Sequence, residues 1–488
     1  MKAAPALGQY FAGQPRKAPL RLTLLLYVAV ISIDGVRKLT GLSASADGII
    51  YLIVGGMYLF LIPGISRRLR VVPRYLPVWL ILFTFWCVIE ALVPRIPVGI
   101  ATLGWASYVF FVPLLYIGAE LMADDRSAAR ILRIVAITGG LVGLGATVSA
   151  LLGQSAPSIL LPIVPSVGVH TNATGNIYLA PSVFATAEEA AEELLIALFA
   201  WIALAYLPSG KMRRITSVTV GVLISIGLFA TERRADIAVA VIGIAALVIL
   251  GRQTPRGELD QLTSSTATRP RSRTRPALAL ALALSAVGSI ALLSFLGASK
   301  IVPFLTSGAE GESSLTFMFS PAYPDSLTGQ GTGTSTQGAS VLGATSFNVI
   351  RNNQSYNAYI DNGKTFITAE GGITKTWLEL GIVGVVLYAG IFLSALSPAV
   401  RSLRQLDGVG RALTILTIAL GVVFLKGHAS LDNPLVQPLF WLCAGATWGR
   451  MRALAVGPEQ GAGAVERAAP ADRYCAHPPR RPASADYI

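Results

Sequence analysis

The chain has 488 residues, 53% hydrophobic and only 13% charged, with a mean hydropathy of +0.61. Soluble domains carry about 25% charged residues, so this composition excludes an ordinary soluble domain and points to a polytopic membrane protein. The formal net charge of +13 is a topology signal rather than a nucleic-acid signal, because the basic residues are dealt out loop by loop, as traced below.

A spanning helix needs about 20 mostly apolar residues. Twelve segments qualify, at 20–36, 48–65, 76–94, 100–122, 131–153, 186–207, 214–231, 235–251, 277–297, 376–397, 411–428 and 433–450. The expected fold is therefore an all-α polytopic membrane protein with about 12 transmembrane helices. Residues 1–20 form a polar, basic arm. No small-residue cleavage site follows the first apolar run, so no cleavable signal peptide is expected.

Lys and Arg set the orientation. With the N-terminus in the cytoplasm, the arm, five inner loops and the tail hold 29 of the 39 basic residues. Every inner loop has at least three, such as Arg67, Arg68, Arg70 and Arg74, or Lys211, Arg213 and Arg214. Both termini are thus expected inside, with anionic lipid as the partner of the basic face and no nucleic acid. The layout is a cytoplasmic arm (1–20), spans one to nine (21–297), a large extracytoplasmic loop (298–375), spans ten to twelve (376–452) and a tail (453–488). The tail is Ala/Pro/Arg-rich and reads as disordered.

Two outer segments are long. Residues 154–185 are nearly uncharged and rich in Pro, Ser and Asn. The 298–375 loop contains Gly329-Gln330-Gly331-Thr332-Gly333-Thr334-Ser335-Thr336, which lacks the lysine and strand–helix context of a phosphate-binding loop and reads as flexible. No Asp-x-Asp, dinucleotide fingerprint or zinc spacing is present, and Cys87, Cys443 and Cys475 form no framework of pairs. No metal or cofactor is expected.

The charged stretch Thr231-Glu232-Arg233-Arg234-Ala235-Asp236 stands between spans seven and eight. Arg233 and Arg234 depart from the inside bias. Charges at a seam of two membrane helices are costly unless paired or functional. Two adjacent guanidinium forks suit a diphosphate; the alternative is local pairing with Glu232 and Asp236 around a tight turn.

Glu188, Glu189, Glu192 and Glu193 open span six. Acids favour a helix N-terminus, so a solvated helix start is one reading; the other pairs a carboxylate with the arginine clamp. Glu379 falls inside an apolar helix, where a charge points to a cavity. Arg351, Lys364, Glu370 and Lys375 read as loop charges, with Glu370 also a candidate general base. His428, four residues before Asp432, is a candidate proton carrier. Asp34 and Glu90 lie near outer helix ends and read as interfacial.

These features resemble the O-antigen ligase and polymerase superfamily of bacterial envelope glycosyltransferases. The resemblance lies in the helix–Arg–helix seam at Ala230–Ala235, the large outer loop two spans later, the stretch Tyr178-Leu179-Ala180-Pro181-Ser182-Val183-Phe184 before span six, and Glu379-Leu380-Gly381-Ile382-Val383-Gly384, similar to the family's Glu-x-Gly-(Ile/Leu)-x-Gly. It covers roughly residues 100–450. Where ligases of that family carry a His-Asn pair, this chain reads Glu370-Gly371-Gly372. The resemblance implies a metal-independent transfer of a polyprenyl-diphosphate-linked oligosaccharide to an acceptor hydroxyl, at the outer face of the bacterial cytoplasmic membrane. Partner proteins of polysaccharide assembly are also implied. Arg233, Arg234 and Arg351 would hold the diphosphate. Glu370, His428 and Glu379 would be the catalytic candidates, supported by Glu232, Asp236, Glu189 and Asp432. A twelve-span transporter, and a non-catalytic partner in envelope assembly, are the alternatives.

Overall fold

The computed structural model describes residues 17–40, 48–59, 61–62, 75–92, 96, 98–122, 125–162, 169–172, 175–178, 180–184, 186–207, 212–251, 328–329, 331–334, 372–403, 406, 408–426 and 437–451. The protein is helical. Its helices are α1 (Lys17–Thr40), α2 (Gly48–Leu59), α3 (Leu76–Leu92), α4 (Val98–Val109), α5 (Leu114–Leu121), α6 (Asp125–Leu152), α7 (Ala187–Tyr206), α8 (Arg214–Ala230), α9 (Arg234–Gly251), α10 (Gly372–Ser402), α11 (Gly408–Lys426) and α12 (437–451). They fall on eleven of the twelve apolar segments; the ninth lies outside the described residues. Val98–Leu121, Asp125–Ser155 and Lys375–Ser397 are long and apolar enough to cross a membrane. Leu52, Ile81, Phe85, Leu141, Ile242 and Leu393 are each more than half exposed. Water disfavours so much exposed apolar surface and lipid does not.

The core forms around α7. From Leu194 onward its sequence is apolar on every side, and a helix of that kind must be enclosed. From Ala190 to Leu204 every residue is buried, with α6, α8, α9 and α11 packed around it. Close approach depends on small residues, as in membrane helix pairs generally. Gly143 of α6 faces Gly227 of α8, where an added Cβ would lie 2.3 Å from the Gly143 Cα.

Two interruptions shape the site region. Pro113, without an amide hydrogen, separates α4 from α5. Gly381 breaks α10 with φ 64° and ψ −169°, a conformation open to glycine and strained for other residues. Between α6 and α7, the Pro/Ser/Asn-rich segment is not featureless. It holds two 3₁₀ turns, Gly153–Ser155 and Ser158–Leu160, and an antiparallel hairpin of β1 (Val169–Asn172) and β2 (Gly175–Tyr178) with His170 opposite Ile177.

Candidate functional site

The polar groups collect at the end of the bundle where α1, α3 and α8 finish and α4, α7 and α9 begin. They form two clusters.

The first is built on the seam. α8 stops at Ala230, and the Thr231 hydroxyl donates back to the Leu228 carbonyl at 2.7 Å. Glu232 then adopts φ 55°, a left-handed conformation that costs an ordinary residue roughly 1–2 kcal/mol. Three residues, Thr231 to Arg233, thus separate α8 from α9. The Arg233 guanidinium meets the Glu188 carboxylate of α7 at 2.9 Å. Asp236, in the first turn of α9, is buried. Arg234 opens α9, and its side chain lies outside the described ones.

The N-terminus of α7 is fixed by a reciprocal cap: the Glu189 amide donates to the Thr186 hydroxyl, and the Thr186 amide donates to the Glu189 carboxylate. This start is not simply solvated. Glu188 and Glu189 are half-buried, Glu192 is 2% exposed and Glu193 is fully buried. The physical reason is that neighbouring elements rise past the first turn and enclose it. Glu189 lies against Asp34 of α1. Glu192 lies in the electrostatic field of Glu188, Asp236 and Arg233. Asp34, expected at an interface, is buried and also pairs with Arg37 at 3.0 Å. Lys38, beyond the apolar run of α1, donates to the Ile159 and Ser182 carbonyls at 3.2 and 3.1 Å. Burial lowers its pKa to about 8, against the opposing pull of Asp34 and Glu189.

The second cluster overturns the reading of residues 329–334 as a flexible loop. The described part of that stretch threads between α3, α4 and α10. The Gly331 amide donates to the Glu379 backbone carbonyl at 3.1 Å, and the Gly333 amide to the Glu379 carboxylate at 3.1 Å. Gly329 packs against the same backbone, where an added Cβ would lie 2.0 Å from the Glu379 carbonyl oxygen. The Thr332 amide reaches the Glu90 carbonyl at 3.4 Å, and its hydroxyl the Cys87 carbonyl at 2.7 Å. Glycine is required at Gly333, where φ is 88° and an added Cβ would sit 2.2 Å from the Ile100 carbonyl oxygen. Glu90, read as interfacial, is 3% exposed beneath this segment.

Glu379 is fully buried and also accepts from the Tyr108 hydroxyl at 3.1 Å. Lys375, one turn earlier, is no solvated loop charge: it is 3% exposed, donates to the Ser107 hydroxyl at 3.2 Å and lies over the Tyr108 ring. It is enclosed because helix α10 begins at Gly372, before the predicted span, and carries the lysine down against α4. Gln437 of α12 donates to the Ser107 carbonyl.

Of the residues expected at a site, the structure brings Arg233, Glu189 and Asp236 to one cluster with Glu232 on the turn, and puts Glu379 in the other. Glu370, His428, Arg351 and Asp432 lie outside the described residues. Sequence reasoning missed Ser107, Tyr108 and Gln437, which are uncharged and sit in apolar runs. The i,i+4 spacing of Lys375 and Glu379 was the available signal for a polar patch on α10. No protein-family model matches the chain, and no curated protein matches it.

Proposed function

We propose that this protein transfers a glycan from a polyprenyl-diphosphate carrier to an acceptor hydroxyl at the outer face of a bacterial cytoplasmic membrane, as an O-antigen ligase or polymerase does. The observation that supports this reading is Arg233, one-third exposed at the end of an apolar bundle and oriented by Glu188. One carboxylate fixes the fork, and its remaining donors would serve an arriving phosphate.

In the proposed step the acceptor oxygen attacks the anomeric carbon. The bond from that carbon to the diphosphate oxygen breaks, and its electron pair leaves with the diphosphate. Charge develops there, so Arg233 with Arg234 and Arg351 stabilises the transition state electrostatically. The acceptor's proton passes to a carboxylate or imidazole, a contribution of about 10²–10⁴-fold, with Glu370, His428 and Glu379 as candidates. The lipid tail lies against the apolar outer face of the helices. The arginines carry the charge, so the step invokes no metal.

The test is deletion of the gene followed by analysis of lipid-linked and surface glycans, with complementation by wild type and by Arg233→Ala. Short lipid-linked units that accumulate on deletion, disappear with wild type and persist with Arg233→Ala are the expected result. An unchanged glycan profile on deletion rejects the proposal.

A second reading, a membrane carrier, draws on a specific feature: Asp34 of α1 and Glu192 and Glu193 of α7 are each buried, and intramembrane carboxyls often mark ion pathways. Solute uptake by vesicles containing this protein alone would favour it.

A further inference from the structure

Glu193 stands apart from both clusters. It lies one turn deeper along α7 than Glu189 and is fully buried in the apolar core. Its Oε1 accepts from the Tyr27 hydroxyl of α1, and among the described residues no donor reaches its Oε2. No described Lys or Arg pairs with it.

Several oxygens gather around it. The Tyr27 hydroxyl lies 3.4 Å from the Val135 carbonyl of α6, as well as against Glu193. The Thr138 hydroxyl of α6 lies 3.1 Å from the Tyr27 oxygen, 3.1 Å from the Val135 carbonyl and 2.8 Å from the Ile134 carbonyl. The two carbonyls lie within α6 and already accept helix amides, so the shortage falls on Glu193, which has one neutral hydroxyl at Oε1 and no described donor at Oε2. A buried carboxylate with one neutral donor is costly to keep, and a bound cation removes that cost.

We propose that Glu193, Tyr27, Thr138 and the Val135 carbonyl form a binding site for one small monovalent cation, a proton or a sodium ion, held between α1, α6 and α7. One carboxylate matches one positive charge; divalent calcium or magnesium calls for a larger set of oxygen ligands or retained waters. The groups facing Glu193 are few. Tyr27 comes from α1 and the Cys443 thiol from α12, Thr138 of α6 reaches the Tyr27 oxygen, and Glu189 and Glu192 lie on the same helix. An apolar cavity of about 60 Å³, lined by Tyr27, Val135, Ile196 and Cys443 among others, lies beside the site and suits an apolar probe. The site does not depend on the transferase reading, since none of its groups touches Arg233.

The probe is dicyclohexylcarbodiimide, applied to the full-length protein in detergent and read by peptide mass spectrometry. The carboxyl proton moves to a carbodiimide nitrogen, the carboxylate oxygen bonds the central carbon, and the adduct rearranges to a stable N-acylurea. The reaction is run from mildly acidic to alkaline pH, in sodium chloride and in choline chloride at equal ionic strength. The expected result is modification of Glu193 that slows at least several-fold as pH rises. Further several-fold protection by sodium over choline identifies sodium as the ion; equal rates in the two salts identify the proton. Glu193→Gln abolishes that adduct. Should that variant fail to insert, Tyr27→Phe takes its place, removing one oxygen ligand and changing the rate at fixed pH several-fold. Modification that never reaches Glu193, or that reaches it at a rate indifferent to pH and salt, overturns the proposal.

Discussion

Arg233 at the α8–α9 seam and Glu188 in the first turn of α7 are joined by a 2.9 Å ion pair across 45 positions of sequence. The pair ties the three-residue seam between α8 and α9 to the most buried helix of the bundle. It is partly exposed, so its direct contribution to stability is small, about 0–1 kcal/mol. Its value lies in orientation, and that makes the two roles separable.

Arg233→Ala is expected to abolish the transfer product while the protein inserts and melts within about 1 kcal/mol of wild type. Arg233→Lys should recover only part of the product, because an ammonium cannot donate as a fork. Glu188→Ala should weaken product formation less than Arg233→Ala. A gel of lipid-linked and polymerised glycan, read beside a detergent melting curve, checks all three; wild-type product from Arg233→Ala removes the clamp.

Gly333→Ala is expected to destabilise by more than about 1–2 kcal/mol, since a left-handed conformation is imposed on a residue with a Cβ and that Cβ meets the Ile100 carbonyl. The measurement is the melting temperature in detergent. A cysteine placed at Thr332, buried in the wild type, should then react faster with a maleimide in the Gly333→Ala background. An unchanged rate would show that the segment does not rest on this glycine.

Glu379 should respond to the kind of side chain that replaces it. Leucine leaves the Gly333 amide and Tyr108 hydroxyl without their acceptor, at a cost of about 1–3 kcal/mol. Glutamine keeps one acceptor oxygen and should cost less. If Glu379→Gln also abolishes transfer while melting near wild type, Glu379 acts in the chemistry as well as holding the segment.

Lys38 gives a pH signature. Its folded pKa of about 8 lies below the ordinary value of 10.5. Between these values the unfolded chain holds a proton on Lys38 that the folded chain has released, so this group makes stability rise with pH across that window. Below about pH 8 both states are protonated and the contribution is flat. Lys38→Met is expected to lose this rise, seen as a diverging melting temperature of wild type and variant from pH 8 to 10.5. Parallel curves would show that Lys38 is not desolvated in this way.

Orientation is tested at Glu232, which is half-buried on the seam. Glu232→Cys, in a background lacking the native cysteines, should react with a membrane-impermeant maleimide applied to the extracytoplasmic side. Labelling only after the cytosolic side is opened would place the arginine seam on the wrong face for an exported lipid-linked sugar.

Much of the helical layout was legible because the membrane imposes a simple rule: about twenty apolar residues with internally satisfied backbone. The charged seam at 231–236 could also be read directly, since it depends on neighbours in sequence; the capping box at Thr186 and Glu189 is equally local but went unread. The Glu379–Leu380–Gly381 stretch marked a feature whose backbone cause, a positive φ at Gly381 inside α10, only coordinates reveal. The glycine-rich stretch was misread because mobility and close packing favour the same residue: glycine allows free rotation in water, and it also lets one backbone lie against another.

By itself the sequence determined where apolar runs lie, which loops carry basic charge and which charges break that pattern, because these follow from local composition and period. Only the tertiary structure decided which acids are paired and which are buried. Glu188 meets an arginine, Glu189 meets Asp34, and Glu193 sits against Tyr27 in the core, although all three lie within six residues of one helix. A helix turns each successive side chain by about 100°, so the fate of each carboxylate belongs to whichever neighbouring helix lies on that side, and no pattern within the segment carries that information.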